Sequence, residues 1–225
     1  MQGKHQAIIV AGGSGSRMGG NVAKQFMELD NKPILVHTIE KFLSLSFEVE
    51  IILVLPADYK EYWRDYCFNN RLTFRHTLVS GGITRFHSVK NAVKYLRKDT
   101  ITAVHDGVRP FVTKEFLEEM YKDGEERGAV IPVTSPIDSM RIKLKRGLTQ
   151  ITDRDLYYMV QTPQVFRSDI LIKAYDQAYS PQFTDDASVV EAMGEKIEIA
   201  PGLPMNIKLT RPEDMMLGRA ILSVS

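Results

Sequence analysis

One cysteine, Cys67, is all the thiol this chain of 225 residues carries. A lone cysteine excludes an intrachain disulfide framework and a cysteine-rich metal centre. Charge of one sign is equally scarce. The 29 Lys and Arg residues against 28 Asp and Glu leave a formal net charge of +1, so nucleic acid is not an expected partner and any positive potential must be local. No apolar run reaches the length of a transmembrane helix, and the N-terminus lacks the apolar segment of a secretory signal. The expectation is a soluble cytoplasmic protein with no membrane partner. Internal repeats, low-complexity segments and long linkers are also missing. What is present, 44% hydrophobic and 25% charged residues, suits one large α/β domain spanning 1–225 with a well-buried core, and a second full domain is not expected.

The chain is organised around residues 7–26, AIIVAGGSGSRMGGNVAKQF. Residues 7–10 have the length and β-branched content of a strand buried on both faces, and the run then breaks into glycine. Gly12, Gly13, Gly15, Gly19 and Gly20 let the backbone approach a ligand closely, so that successive N–H groups can face a shared concavity suited to phosphate oxygens. Arg17 and Lys24 add two cations. Neither G-x-x-x-x-G-K-[ST] nor a complete G-x-G-x-x-G is present. A structural glycine turn and a phosphate loop both remain open on the pattern alone, and the flanking cations favour the phosphate loop.

A second glycine turn lies within residues 77–88, TLVSGGITRFHS. In an open parallel sheet, ligands sit outside the carboxyl ends of the strands, so the two turns can line one crevice. Arg85 and His87 there can equally be solvated. Residues 101–104 form another expected strand, which delivers His105, Asp106 and Arg109 at its end. Asp106 can bind Mg²⁺, a cation that takes oxygen ligands and bridges substrate phosphates, or it can cap the turn. Arg109 can hold an anionic substrate with a planar two-donor fork. His105 reads as a packed histidine, because nucleotidyl transfer needs positioning and charge neutralisation more than proton abstraction.

Around these centres the pattern alternates strand and helix. A helix begins near Pro33, residues 50–55 are a buried strand, and the aromatic stretch 57–70 reads as a helix packed on the sheet. Residues 113–127 read as a helix with Thr113 as N-cap and Gly128 near its end, followed by a strand at 129–133. Residues 134–160 then alternate, with Met140, Ile142 and Leu144 on one side of Arg146-Gly147 and Leu148 and Ile151 on the other. That is a hairpin, too small for its own core, which must bury its apolar face elsewhere. Helices are expected at 168–179 and 185–193, the second opening on Asp185 and Asp186, read as capping rather than metal-binding. A strand at 196–200 precedes residues 206–210, which bring Lys208 back toward the crevice, and Pro212 starts the last helix. The fold class is therefore α/β, a Rossmann-like domain with a mostly parallel sheet and the 134–160 arm as an excursion.

The motifs A-G-G-x-G-x-R-M…K-Q-F, V-H-D-G-V-R-P-F (104–111), Q-T-P-Q-V-F (161–166), T-D-D-A-S (184–188) and N-I-K-L-T-R-P-E-D (206–214) stand in this order. Together they resemble the 2-C-methyl-D-erythritol 4-phosphate cytidylyltransferases of the non-mevalonate isoprenoid pathway. The resemblance implies a glycosyltransferase-A-like nucleotidyltransferase fold and transfer of CMP from CTP to a polyol phosphate with Mg²⁺, in a homodimer joined by the arm. It implies that Ala11, Gly12, Gly13, Gly15, Gly81, Gly82 and Ser88 bind the nucleotide, with Gly81, Gly82 and Ser88 at the cytosine, and that Arg17, Lys24, Arg154 and Lys208 are catalytic. Asp106, Arg109, Ser139, Arg154, Thr162 and Lys208 would surround the acceptor, Asp106 would hold the metal, and Arg154 would enter the partner subunit's site. Two departures stand out: Ile83 replaces an acidic or polar residue, which leaves only backbone contacts to the base there, and Ser139 replaces the more usual threonine. The related ribitol 5-phosphate cytidylyltransferases share most of these motifs. A nucleotide-binding module without turnover is the rival of another class, opposed by cations at both ends of a reacting phosphate.

Overall fold

Strand β1 (His5–Val10) runs through the middle of the molecule because both its faces are apolar: Ala7 and Ile9 enter one core and Ile8 the other. The computed structural model describes residues 4–13 and 23–224. After β1 come the short strands β2 (Glu28–Leu29) and β3 (Lys32–Pro33), then α1 (Ile34–Leu43), β4 (Val49–Leu55), α2 (Lys60–Asn69), β5 (His76–Ser80), α3 (Arg85–Val93), β6 (Ile101–Asp106), α4 (Lys114–Arg127) and β7 (Ala129–Thr134). The second half contributes β8 (Arg141–Lys143), β9 (Thr149–Ile151), β10 (Met159–Val160), β11 (Gln164–Arg167), α5 (Ser168–Ala174), α6 (Asp186–Glu191), β12 (Glu198–Pro201) and α7 (Pro212–Leu222).

The main sheet has the order β10-β7-β11-β6-β1-β4-β5, with β12 added beside β7. Strands β6, β1, β4 and β5 pair in parallel, so their carboxyl ends share one edge of the sheet. Two strands run the other way: β10 pairs antiparallel with β7, and β11 is wedged antiparallel between β6 and β7, which brings the segment before it to the carboxyl end of β6. Helices cover both faces. Leu35, Phe42, Trp63, Phe116 and Leu117 fill one core and Phe86, Val89, Leu171 and Val189 the other, as a sheet that is apolar on both sides requires.

Local signals account for the helix ends. Thr113 accepts the Phe116 N–H at the start of α4, and Gly128 closes it at φ 87°, a left-handed conformation that glycine adopts without strain. Asp185 caps α6 and accepts the Ser188 N–H. The aromatic helix packs as expected, with Trp63 buried and its indole N–H donating to His76 Nε2 at 2.9 Å. The helix expected over 168–179 stops at Ala174, because Gln177 Nε2 donates to the carbonyls of Ala174 and Val189 and turns the chain toward α6. Residues 141–151 form the expected hairpin, turning through Arg146 and Gly147 at positive φ. Ile142 pairs with Gln150 and Ile151 with Arg141, so Ile151 lies on the face opposite Ile142. Among the described residues, no helix is long and apolar enough to cross a membrane.

Candidate active site

The two glycine turns meet. Ala11 N–H donates to the Val54 carbonyl and Gly81 N–H to the Leu55 carbonyl, which draws the chain leaving β1 and β5 to the end of β4. A Cβ at Gly12 would stand 3.1 Å from Ser88 Oγ, and one at Gly81 would stand 3.5 Å from the Gly12 Cα. At Gly82 the same atom would fall 2.4 Å from His87 Cβ, so the turn admits no side chain. Ser88 Oγ accepts the Gly82 N–H at 3.0 Å and donates to the Thr84 carbonyl, which fixes the turn to the first residues of α3. Lys24 follows the first turn on one turn of 3₁₀ helix, Lys24–Phe26. That turn is anchored at two points: buried Gln25 donates to the Ala11 carbonyl at 3.0 Å, and Phe26 packs edge-on to Tyr62.

Asp106 ends β6, and its carboxylate is the electrostatic centre of the site. Lys208 Nζ stands 2.8 Å from Oδ2, Arg109 Nε 3.5 Å from Oδ2, and Arg85 Nε 3.7 Å from Oδ1. Burial alone would push this carboxyl up, but Arg85, Lys208 and Arg109 outweigh it and hold it well below the usual carboxylate range. The Asp106 N–H donates to Thr162 Oγ1 at 3.1 Å. Arg109 spends its other arm on the Asn206 carbonyl at 2.7 Å. His105 is buried against Phe42, with Nε2 on the Arg109 carbonyl and Nδ1 without a partner among the described residues. Burial pulls its pKa down to about 4, so it is a packed neutral imidazole, as expected. Cys67 is half-buried and burial pushes its thiol up to about 11, which removes thiolate chemistry near neutral pH.

A cleft of about 480 Å³ opens between the turns, and of the expected residues it brings together Ala11, Gly12, Gly13, Lys24, Gly82, Ser88, Asp106 and Lys208. Gly81 lies behind Gly12, and Thr162 and Arg109 stand behind Asp106 as its partners. Ser139 and Arg154 are exposed on the arm and do not line this cleft; the Arg154 guanidinium bonds the Ile137 carbonyl. Gly15, Arg17, Gly19 and Gly20 lie outside the described residues. Ile83 lines the cleft yet is 97% exposed, an apolar side chain at its rim.

Sequence reasoning gives Arg85 no role and leaves open that it is solvated. Arg85 instead lines the cleft and bonds buried Asp186 at 2.6 Å, while Tyr175 donates to the other oxygen of Asp186 at 2.6 Å. Its burial opposes its charge, but Asp186 and Asp106 more than offset this and hold its pKa above the ordinary guanidinium value. Only Asp185 of the acidic pair is a cap; Asp186 is the counter-ion of Arg85. Gln25 and Asn206 were also passed over, although both stand inside motifs that carry a lysine, K-Q-F and N-I-K, which is the one signal that could have found them.

No group of three His, Cys, Asp or Glu side chains suited to a metal exists among the described residues. Among the described residues, Asp106 is the one acidic side chain lining the cleft, and its Oδ1 has one long contact, to Arg85. A single carboxylate of this kind fits a hard divalent cation shared with substrate phosphates and water, not a protein-only cage.

Glycine turns, lysines and a carboxylate at the carboxyl ends of parallel strands give this cleft the features of a phosphate-binding α/β site. The family model for 2-C-methyl-D-erythritol 4-phosphate cytidylyltransferase (IspD) matches residues 5–224. A protein of that description from Phocaeicola vulgatus is 45% identical over 215 residues, 96% of this chain and 98% of the relative, and one from Bacteroides thetaiotaomicron is 44% identical over 219 residues, 97% and 100%. The crystal structure of 4-diphosphocytidyl-2C-methyl-D-erythritol synthase from Anaerococcus prevotii superposes with a TM-score of 0.81 at 28% identity, covering 97% of this chain and 95% of that one. The chain belongs to the IspD family of cytidylyltransferases.

Proposed function

We propose that this chain transfers CMP from CTP to 2-C-methyl-D-erythritol 4-phosphate, giving 4-diphosphocytidyl-2-C-methyl-D-erythritol and pyrophosphate. The observation that carries the reading is the convergence of both glycine turns with Lys24, Lys208 and Asp106 in one cleft. CTP lies along the turns at Gly12, Gly13, Gly81 and Gly82, its base next to Ser88 and its phosphates toward Lys24. With Ile83 apolar, the base is read by backbone groups of the turn. The acceptor phosphate lies beside Asp106, Thr162, Arg109 and Lys208, and one of its oxygens attacks the α-phosphorus in line while pyrophosphate leaves.

Two anions must meet, so charge neutralisation is the main task of the site. Lys24 and, by its place in the motif, Arg17 stabilise charge on the α-phosphate and the departing pyrophosphate, and Lys208 holds the acceptor phosphate. We assign Mg²⁺ to Asp106, whose carboxylate would hold it, and the bound cation would supply charge neutralisation for the reacting phosphates. Ser139 and Arg154 reach the acceptor only from a second copy of the chain. A homodimer through residues 134–160 agrees with the exposure of Ile137, Leu148, Ile151 and Leu156 on this arm. We assign the reaction to the cytoplasm, a compartment that supplies CTP.

Pyrophosphate release tests the reading. With CTP and Mg²⁺, methylerythritol phosphate should support turnover well above ribitol 5-phosphate, and removal of the divalent cation should stop it. A preference for ribitol phosphate would reassign the acceptor; CTP binding with no release from any acceptor would make the chain a binding module.

A further inference from the structure

Resting on that reading, the lysine assigned to the acceptor phosphate must be held in place by something, and Lys208 lies on an irregular segment, not on a helix or strand. Two residues before it, Asn206 is fully buried. Its Nδ2 donates to the Thr162 carbonyl at 2.8 Å, its carbonyl accepts from Arg109 Nη1 at 2.7 Å, and its N–H donates to the Leu203 carbonyl at 3.0 Å. Thr162 accepts the Asp106 N–H and Arg109 contacts the Asp106 carboxylate. The contacts therefore close a ring, Asp106 to Thr162 to Asn206 to Arg109 and back to Asp106, with Lys208 bonding the same carboxylate from outside it.

We propose that Asn206 is a positioning residue whose side-chain amide pins the Lys208 segment to the Thr162 turn and so sets the place of the Lys208 ammonium beside Asp106. Its Oδ1 is buried with no partner among the described residues, a cost that a plain filler would avoid. Turning the amide over would set that oxygen against the Thr162 carbonyl, so the donor role of Nδ2 fixes the orientation. The two near-isosteric replacements supply no donor there: aspartate has no proton to give near neutral pH, and leucine has no donor at all. The segment keeps two further tethers, Arg109 Nη1 on the Asn206 backbone carbonyl at 2.7 Å and the Leu209 N–H on the Val108 carbonyl at 2.9 Å. Loss of the amide would therefore loosen Lys208 without detaching the chain.

Asn206→Ala and the near-isosteric Asn206→Leu, which refills the site without a charge and guards against a folding defect in the first, should both lower kcat on the order of tenfold to a hundredfold. KM for CTP, bound on the opposite side of the cleft, should stay within about twofold. On a Lys208→Ala background the same substitutions should cost less than about threefold more, because the residue they position is already gone. Losses that multiply, an unchanged kcat, or a KM for CTP that rises as kcat falls would each overturn the proposal. A crystal structure of Asn206→Ala gives a readout that needs no turnover: Lys208 should leave Asp106 while Leu209 stays on Val108. A lysine still seated on Asp106 would sink the idea whatever the acceptor proves to be.

Discussion

The cleft and the arm treat their side chains in opposite ways. In the cleft, charged groups are largely buried and matched: the Asp106 side chain is 9% exposed and meets three cations, and Asp186 is sealed between Arg85 and Tyr175. On the arm, apolar groups stand in the open, with Ile137 84%, Ile151 75% and Leu156 76% exposed. Leaving one such side chain uncovered forgoes about 1.5–3 kcal/mol. The body is thus finished within one chain, whereas the arm has the surface of something that expects cover.

The largest effect expected from breaking this contrast is in the body. Lys24→Ala should cost on the order of a hundredfold or more in turnover, the loss typical of a transition-state charge contact, with little change in melting temperature. Near-normal turnover would remove Lys24 from the chemistry.

The arm is tested by mixing. If it crosses to a second copy, Arg154→Ala and Lys24→Ala, each inactive alone, should regain activity on subunit exchange, because half of a randomly exchanged pool is heterodimer and one site of each heterodimer is intact. About a quarter of all sites should then work, given twofold symmetry. No recovery after exchange is verified by mass would place Arg154 in its own chain's site or in no site at all.

The smallest effect concerns stability, and it probes how well the body is sealed. The folded His105 has its pKa lowered to about 4, below the 6.5 of an unfolded histidine. The unfolded chain therefore binds the extra proton between these values, and stability should be full above about pH 6.5 and fall by about 3 kcal/mol as pH drops to about 4. Asp106 is depressed as well, so its contribution is present above the ordinary carboxylate range and lost only at still lower pH. In urea titrations His105→Gln, which retains a donor for the Arg109 carbonyl, should flatten the window between pH 6.5 and 4. An unchanged slope would mean that other groups carry it.

How far each region could be read from sequence follows the range of its signals. The glycine breaks after 7–10 and before α3, the Thr113 cap and the hairpin alternation are local, and each was legible. Asp106 at a strand end was legible for the same reason. The Arg85–Asp186 pair joins residues 101 positions apart, and an ion pair at that distance leaves no period in the chain. Nothing in residues 164–167 marks β11 as antiparallel either, because a strand buried on both faces reads the same in either direction. The ring around Asp106 depends on that reversal, so its members were visible one by one while their arrangement was not.

That ring also bears on the order in which the protein is made. Thr162 follows Asp106 by 56 residues, and Asn206 follows Thr162 by 44. A chain emerging from the ribosome holds both glycine turns once β1, β4, β5 and β6 have assembled, long before Lys208 is synthesised. Such distant closures form late, after the local parts of a fold. Until residues 206–209 dock, Asp106 lacks Lys208, so on the proposed reading a half-synthesised chain would offer CTP a seat but no acceptor side.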